Sequence, residues 1–268
     1  MKKTICLWAL LLIVVSCTND DNYNDEHGDK AVIPPKGRII RIMTYNIYGA
    51  RATSPANAAD LDALAEVIRR QDPDFVTLNE VDVFTNRTGK DVHQARDLAA
   101  KLGMEWHFSK AIDRDGGEYG EGVTTRKKAV NKFSVALPKG VGAEPRVLVV
   151  MEMEDYVICT SHLDHVSSEA QLGQVELITK TMKERYGDSG KPVFLGGDMN
   201  ATPSSETGKL LQKDWEILTI TGFGTFPSDN PSKCIDYIMQ LKGTPKCEVV
   251  GSQILRWFKS GDVTKASD

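Results

Sequence analysis

The chain lacks an apolar stretch long enough to cross a bilayer as a helix. Its uninterrupted apolar run, residues 6–15, has ten residues, where a span needs roughly 20. An excess of positive charge is also missing: 33 Lys and Arg stand against 37 Asp and Glu, a formal −4. That balance argues against broad electrostatic binding to nucleic acid. It leaves room for a substrate carrying one phosphate beside a bound cation, which reverses the local sign. Cysteine is sparse, with five residues and no C-x-x-C, so no disulfide framework or thiol redox motif is indicated. No Gly-x-Ser-x-Gly elbow, P-loop or G-x-G-x-x-G occurs, which removes the commonest serine-hydrolase and nucleotide-fold readings. No repeat or low-complexity break interrupts the chain. At 268 residues, 41% hydrophobic and 26% charged, what is present is an ordinary globular composition with length for a sizeable core.

The basic start Met1-Lys2-Lys3 and the apolar run after it have the proportions of a secretory signal. The run closes in Val14-Val15-Ser16-Cys17, which resembles the lipobox of bacterial lipoproteins and implies cleavage before Cys17 and lipidation of that residue. Secretion with soluble release is the plainer alternative. Residues 18–30, TNDDNYNDEHGDK, are polar and acidic without apolar periodicity and read as a tether. Acids directly after the lipidated Cys are similar to a surface-export tag of some Gram-negative lipoproteins. The expected organisation is a lipoprotein signal peptide at 1–16, an acidic tether at 17–35 and one domain at 36–268. The expected setting is the cell envelope, lipid-anchored to the outer membrane and open to surface exposure. Membrane contact is expected through the anchor alone, and the protein as a monomer. Cys159, Cys234 and Cys247 then remain, enough for one disulfide at most.

Within the domain, apolar runs at 38–46, 74–80, 133–137, 146–153, 156–162, 192–198, 234–239 and 248–255 read as strands. The stripe Leu61, Leu64, Ala65, Ile68 predicts a helix stopped by Asp72-Pro73. Residues 92–102 read as a second helix closed by Gly103, and Ser168-x-x-Gln171 as a capping box opening a third. The informative pattern is that strands end in polar residues: Asn46, Glu80, His162, and Asp198 with Asn200; Asp236 lies near the start of another. One acid at a strand end is ordinarily a turn residue. Several on different strands gather where α/β sites form, at one rim of a sheet. Carboxylates and amides are hard oxygen ligands, suited to Mg²⁺, Mn²⁺ or Ca²⁺. His162-Leu-Asp-His165 lies at a strand end rather than on a helix, which disfavours a two-His zinc site. A cation, a carboxylate to orient water and a His to manage a leaving group point to metal-assisted phosphoester hydrolysis.

The stretches Met43-Thr-Tyr-Asn-Ile-Tyr-Gly49, Leu78-Asn-Glu-Val-Asp82, Gly117-Glu-Tyr-Gly120, Thr160-Ser-His-Leu-Asp164, Gly197-Asp-Met-Asn-Ala-Thr-Pro203 and Cys234-Ile-Asp-Tyr-Ile238, taken in order, resemble the endonuclease/exonuclease/phosphatase superfamily. The resemblance implies an α/β fold, a four-layer α/β/β/α sandwich of two packed mixed sheets. It implies Glu80 as principal metal carboxylate with Asn46 beside it, Asp198 orienting or deprotonating the attacking water, and Asn200 bonding that water or the phosphate. His162 would donate to a phosphoryl oxygen or the leaving group.

Two places depart from the family pattern. Glu121 stands where many bacterial members have Asn and where pancreatic-type deoxyribonucleases place a Glu; there it is expected to pair with His162 and raise its pKa, an exposed loop Glu being the alternative. The family's closing Ser-Asp-His reads Ala266-Ser-Asp268 here. The partner His of Asp236 and the final core strand are therefore expected to be missing, through either a fragment of a longer gene or a damaged member. Asp268 would be a metal ligand at a terminus.

The function expected is a divalent-metal-dependent phosphoesterase acting on a phosphoester. The candidates are extracellular nucleic acid, phospholipid or sphingolipid head groups, and sugar or inositol phosphates. The alternatives are a catalytically impaired surface lipoprotein that binds a phosphate-containing ligand, and a non-catalytic scaffold.

Overall fold

Along residues 147–152, Leu148 and Val150 join one apolar cluster while Val147, Val149 and Met151 join another, and all five are buried. A strand apolar on both faces needs cover on both, and this alternation recurs across the molecule. Residues 10–17, 38–51, 59–227 and 230–255 are described by the computed structural model, residues 10–17 by backbone alone.

In chain order the elements are β1 (Leu10–Cys17), β2 (Arg38–Asn46), α1 (Leu61–Gln71), β3 (Phe75–Val83), α2 (Gln94–Leu102), β4 (Glu105–Arg114), β5 (Gly117–Thr125), β6 (Asn131–Ala136), β7 (Val147–Glu152), β8 (Val157–Thr160), α3 (Ser168–Tyr186), β9 (Val193–Asp198), α4 (Glu206–Asp214), β10 (Trp215–Ile217), β11 (Asp236–Leu241) and β12 (Cys247–Leu255). They build two six-stranded sheets, ordered β12-β1-β2-β3-β5-β4 and β10-β11-β9-β8-β7-β6. Both are mixed: β2–β3 and β8–β9 run parallel, the other pairs antiparallel.

Three apolar clusters separate the layers. Met43, Tyr45 and Leu78 pack on Leu64, Ile68 and Leu98 of α1 and α2. Ile42, Phe75, Val149, Phe194 and Ile238 fill the space between the sheets. Leu148, Cys159 and Leu195 pack on Val175, Ile178 and Leu211 of α3 and α4. The result is the expected α/β/β/α sandwich. Phe75 and Phe194 meet across its middle with ring centroids 6.0 Å apart, and truncating such a ring to Ala costs about 3–5 kcal/mol.

Helix ends follow local chemistry. The Asp60 carboxylate accepts from Ala63 N at 2.9 Å to open α1, and Gly103 closes α2 in the left-handed conformation, φ 65°. The cap of α3 is Ser167, whose hydroxyl accepts from Ala170 N, not Ser168. Gln171, expected to complete a capping box, instead donates to the carbonyls of Asp164 and Asn200, bracing two loops.

The largest difference from the sequence reading lies at the start. Residues 1–16 are expected to stand apart from the fold, yet Leu10–Cys17 is a strand, antiparallel to β2 on one side and β12 on the other. The physical reason is that an apolar run containing Ile13, Val14 and Val15 suits a sheet interior as well as a signal, and here it satisfies two strand edges at once. The expected absence of a last strand concerns residues beyond β12, which lie outside the described ones. Strands β4 and β5 were not expected, because glycine and charge in 105–125 dilute the period-two pattern.

Candidate active site

Register brings the predicted polar residues to one rim. Asn46 ends β2 and Asn79 of β3 is its parallel partner. The antiparallel pairing of β11 with β9 places Asp236, the first residue of one, opposite Asp198, the last of the other. His162 follows β8, the parallel neighbour of β9. The two sheets thus deliver Asn46 and Glu80 from one side, and His162, Asp198 and Asn200 from the other, into a cleft of ≈ 320 Å³. Tyr119, Arg114, Glu144, Arg146 and His165 complete its wall.

Glu80 does not end its strand, as the sequence reading has it: β3 runs on to Val83. The pairing with β5 shifts register between Leu78 and Val81, and Glu80 sits there at φ 60°. A left-handed non-glycine residue costs about 1–3 kcal/mol, and such a bulge re-aims a side chain out of the alternation. Asn46 Nδ2 donates to Glu80 Oε1 at 3.0 Å and to Asp198 Oδ2 at 3.4 Å, so one amide joins two carboxylates across the sheets.

Asp198 is held from several directions. A Cβ on Gly197, φ 149°, would collide with the Ser161 carbonyl oxygen; glycine lets the Asp198 strand lie against the segment carrying His162. Asp198 Oδ1 accepts from Asn200 N at 2.8 Å, its own N–H donates to Asn79 Oδ1 at 2.9 Å, and Oδ2 lies 3.6 Å from His162 Nε2. Asn200 in turn donates to the Leu163 carbonyl at 3.0 Å. Burial, reinforced by the negative charges of Asp236 and Glu80, pushes the Asp198 carboxyl well above the usual carboxylate range. Burial pushes Asp236 up to about 6, against a hydrogen bond from Thr225 and with the help of Glu80. His162 is driven the other way, well below the ordinary imidazole value, by burial and by the nearby Arg146 and His165.

Glu121 is fully buried on β5, not an exposed loop acid. Its expected pairing with His162 is not what the structure has. Asn79 Nδ2 donates to Glu121 Oε2 at 2.5 Å, and burial, followed by Arg146 and His165, lowers the basicity of His162 rather than raising it. Burial pushes the Glu121 carboxyl up to about 7. Asp268 lies outside the described residues, and of Cys17 only the strand backbone is described. Sequence reasoning gave no role to Asn79, Tyr119 and Arg146, and weighed His165 only as a zinc ligand. Asn79 and Tyr119 lie inside quoted motifs, and Arg146 directly precedes an apolar strand, where a buried charge has no composition signal.

Among the described residues, no three His, Cys, Asp or Glu side chains form a closed metal cage. A Mg²⁺ site needs none: one or two carboxylates suffice, with water and phosphate completing the shell. Glu80 offers the carboxylate and Asn46 an amide beside it. Burial raises Asp198 and Asp236 first, and neighbouring carboxylates add to it; a cation at this rim would offset that added negative charge. The residues fit a hard divalent ion.

The model of the Endonuclease/Exonuclease/phosphatase family matches residues 43–266. Among solved structures, a mannosyl-6-phosphatase of Bacteroides thetaiotaomicron is similar with 18% identity and TM-score 0.59, over 76% of this chain and 85% of that one. The human Nocturnin catalytic domain with bound sulfate anion is 18% identical over 76% and 83%, TM-score 0.54. Sphingomyelinase C from Streptomyces griseocarneus is 16% identical over 76% and 84%, TM-score 0.57. A search of curated proteins gives no significant match. Sheet order, layering and the match over 43–266 agree, and the chain belongs to the endonuclease/exonuclease/phosphatase family.

Proposed function

We propose that this protein is a divalent-metal-dependent phosphoester hydrolase. The observation that carries the reading is the continuous line Glu80–Asn46–Asp198–His162, four polar residues from both sheets linked within 3.0–3.6 Å along one cleft. A cation held by Glu80 with Asn46 would supply Lewis-acid polarisation of the phosphoryl group and relief of charge on the leaving oxygen. Asp198 is the base: Asn200 N and Asn46 Nδ2 fix its two carboxylate oxygens at the cleft, beside the residues that would hold the cation. Asn200, fixed by its bonds to Asp198 and Leu163, orients the water or a phosphoryl oxygen. His162, neutral by burial, offers an imidazole N–H to a phosphoryl or leaving oxygen.

Lipid anchoring through Cys17 in the cell envelope is our reading of the setting, supported by the basic start, the apolar run and Val14-Val15-Ser16-Cys17. The fold alone leaves the ester class open, since the similar structures include both a phosphatase and a sphingomyelinase. The test is turnover of phosphomonoester, phosphodiester, DNA and sphingomyelin substrates with Mg²⁺ and with EDTA. Turnover that is EDTA-sensitive and abolished by Asp198→Ala in a folded protein supports the reading. Turnover indifferent to both overturns it. Metabolic labelling with palmitate, lost in Cys17→Ala, tests the anchor.

A further inference from the structure

Arg146 is a charge that the proposed chemistry leaves unused. It stands just before β7, 2% exposed, and lines the same cleft as His162, Asp198 and Asn200. Its Nη2 meets His165 Nδ1 at 3.2 Å. Nη1 approaches Glu144 Oε2 only to 3.7 Å, beyond a hydrogen bond, and Glu144 is shared with Arg114 Nη1 at 3.4 Å. The Nε and Nη1 donors have no acceptor among the described residues. Proteins rarely bury a guanidinium without acceptors, because desolvation is costly and the cation cannot neutralise itself by losing a proton. The carboxylate nearest by chemistry, Glu121, also has a free oxygen, Oε1, but makes no bond to Arg146.

The cleft holds both signs of charge. Glu80 and Asp198 line it with carboxylates, and Arg146 and Arg114 line it with guanidinium groups beside Glu144 and His165. A phosphodiester brings two non-bridging oxygens, for which the Glu80–Asn46 and His162–Asn200 sides would supply partners under the proposed chemistry. A terminal phosphate brings a third oxygen and a second negative charge. Guanidinium donors are the group best matched to that addition.

We propose that Arg146, steadied by His165, receives the third oxygen of a terminal phosphate, so that the cleft selects phosphomonoesters over phosphodiesters. This rests on the phosphoesterase reading and narrows its substrate class. The bond broken is the single ester P–O bond: water adds its oxygen to phosphorus and its proton passes to Asp198, while the leaving alkoxide, hydrogen-bonded by His162, takes a proton from solvent, so the products are an alcohol and inorganic phosphate.

The test uses the full chain and Arg146→Gln, with p-nitrophenyl phosphate and bis-p-nitrophenyl phosphate as the matched pair, and inorganic phosphate as a ligand in calorimetry without metal. In Arg146→Gln, kcat/KM for the monoester is expected to fall about 30-fold further than for the diester, and phosphate affinity to fall about tenfold. Equal loss on both substrates, or phosphate affinity unchanged, overturns the proposal and leaves Arg146 with a structural role beside His165 and Glu144. Should Arg146→Gln fail to fold, Arg146→Lys keeps the charge but not the planar donors and must show the same selectivity loss, in smaller measure. Should the wild type hydrolyse neither substrate, the phosphoesterase reading fails by itself; metal-free phosphate binding then decides the role of Arg146.

Discussion

The carboxamide of Asn79 accepts the backbone N–H of Asp198 at 2.9 Å through its oxygen and donates to Glu121 at 2.5 Å through its nitrogen. One side chain of β3 therefore fixes β9 of the facing sheet and β5 of its own at the rim of the cleft. Asn79→Ala leaves a buried carboxylate oxygen and a buried N–H unpaired, at about 1–3 kcal/mol each. The expected outcome is a loss of about 2–5 kcal/mol in urea unfolding, with turnover falling in the surviving folded fraction. Stability within error of wild type would show that the two sheets are aligned by other means.

Asp198→Asn keeps volume and removes the proton acceptor. Turnover is expected to fall about 10²- to 10⁴-fold, with circular dichroism unchanged. His162→Gln should fall in the same range and, combined with Asp198→Asn, add little, because the two act at the same phosphate. Strictly additive losses in the double variant would separate their roles.

Glu80 is the carboxylate assigned to the cation. Glu80→Gln is expected to raise the Mg²⁺ concentration for half-maximal rate about tenfold or more. EDTA should abolish wild-type activity, and added Mg²⁺ should restore it. A metal titration that is identical in wild type and variant would move the ion elsewhere.

His93 offers a pH test remote from the chemistry. It caps α2, its Nδ1 accepting from Arg96 N at 3.3 Å, and it packs against Trp106 and Phe108. Burial, with Arg96 nearby, lowers its pKa below the ordinary 6.5. The unfolded chain then binds a proton that the folded one refuses, so stability is full above pH 6.5 and declines as pH falls through that value toward the folded pKa. His93→Asn keeps a cap without a titratable ring and should flatten this slope in unfolding measured from pH 8 to pH 5. An unchanged slope would assign it to another group.

The layering and the gathering of Asn46, Asp198 and Asn200 were legible because apolar runs and their polar ends are sequence-local signals. Asn79 and Arg146 were not, because their importance comes from partners 119 residues away for one and from burial without an acceptor for the other. Glu80 was singled out but placed at a strand end it does not occupy: a bulge within a strand leaves no mark in hydrophobic periodicity. Glu121 was found by motif, yet which neighbour it bonds depended on the packing of β3 against β5.

Strand β1 has one further consequence. Among the described strands it is the sole sheet neighbour of β12, so that nine-residue strand is paired along its ladder by the very residues assigned to an export signal. Processing before Cys17 would remove seven of the eight β1 residues and leave β2 and β12 facing each other across a slot about 10 Å wide, two strand spacings. Maturation would then be a change of fabric as well as of address. Two bare edges would open where other chains can dock. Hydrogen exchange reads the difference directly, with the outward amides of β2 and those of β12 protected in the full chain and exchanging fast in one that begins at residue 17.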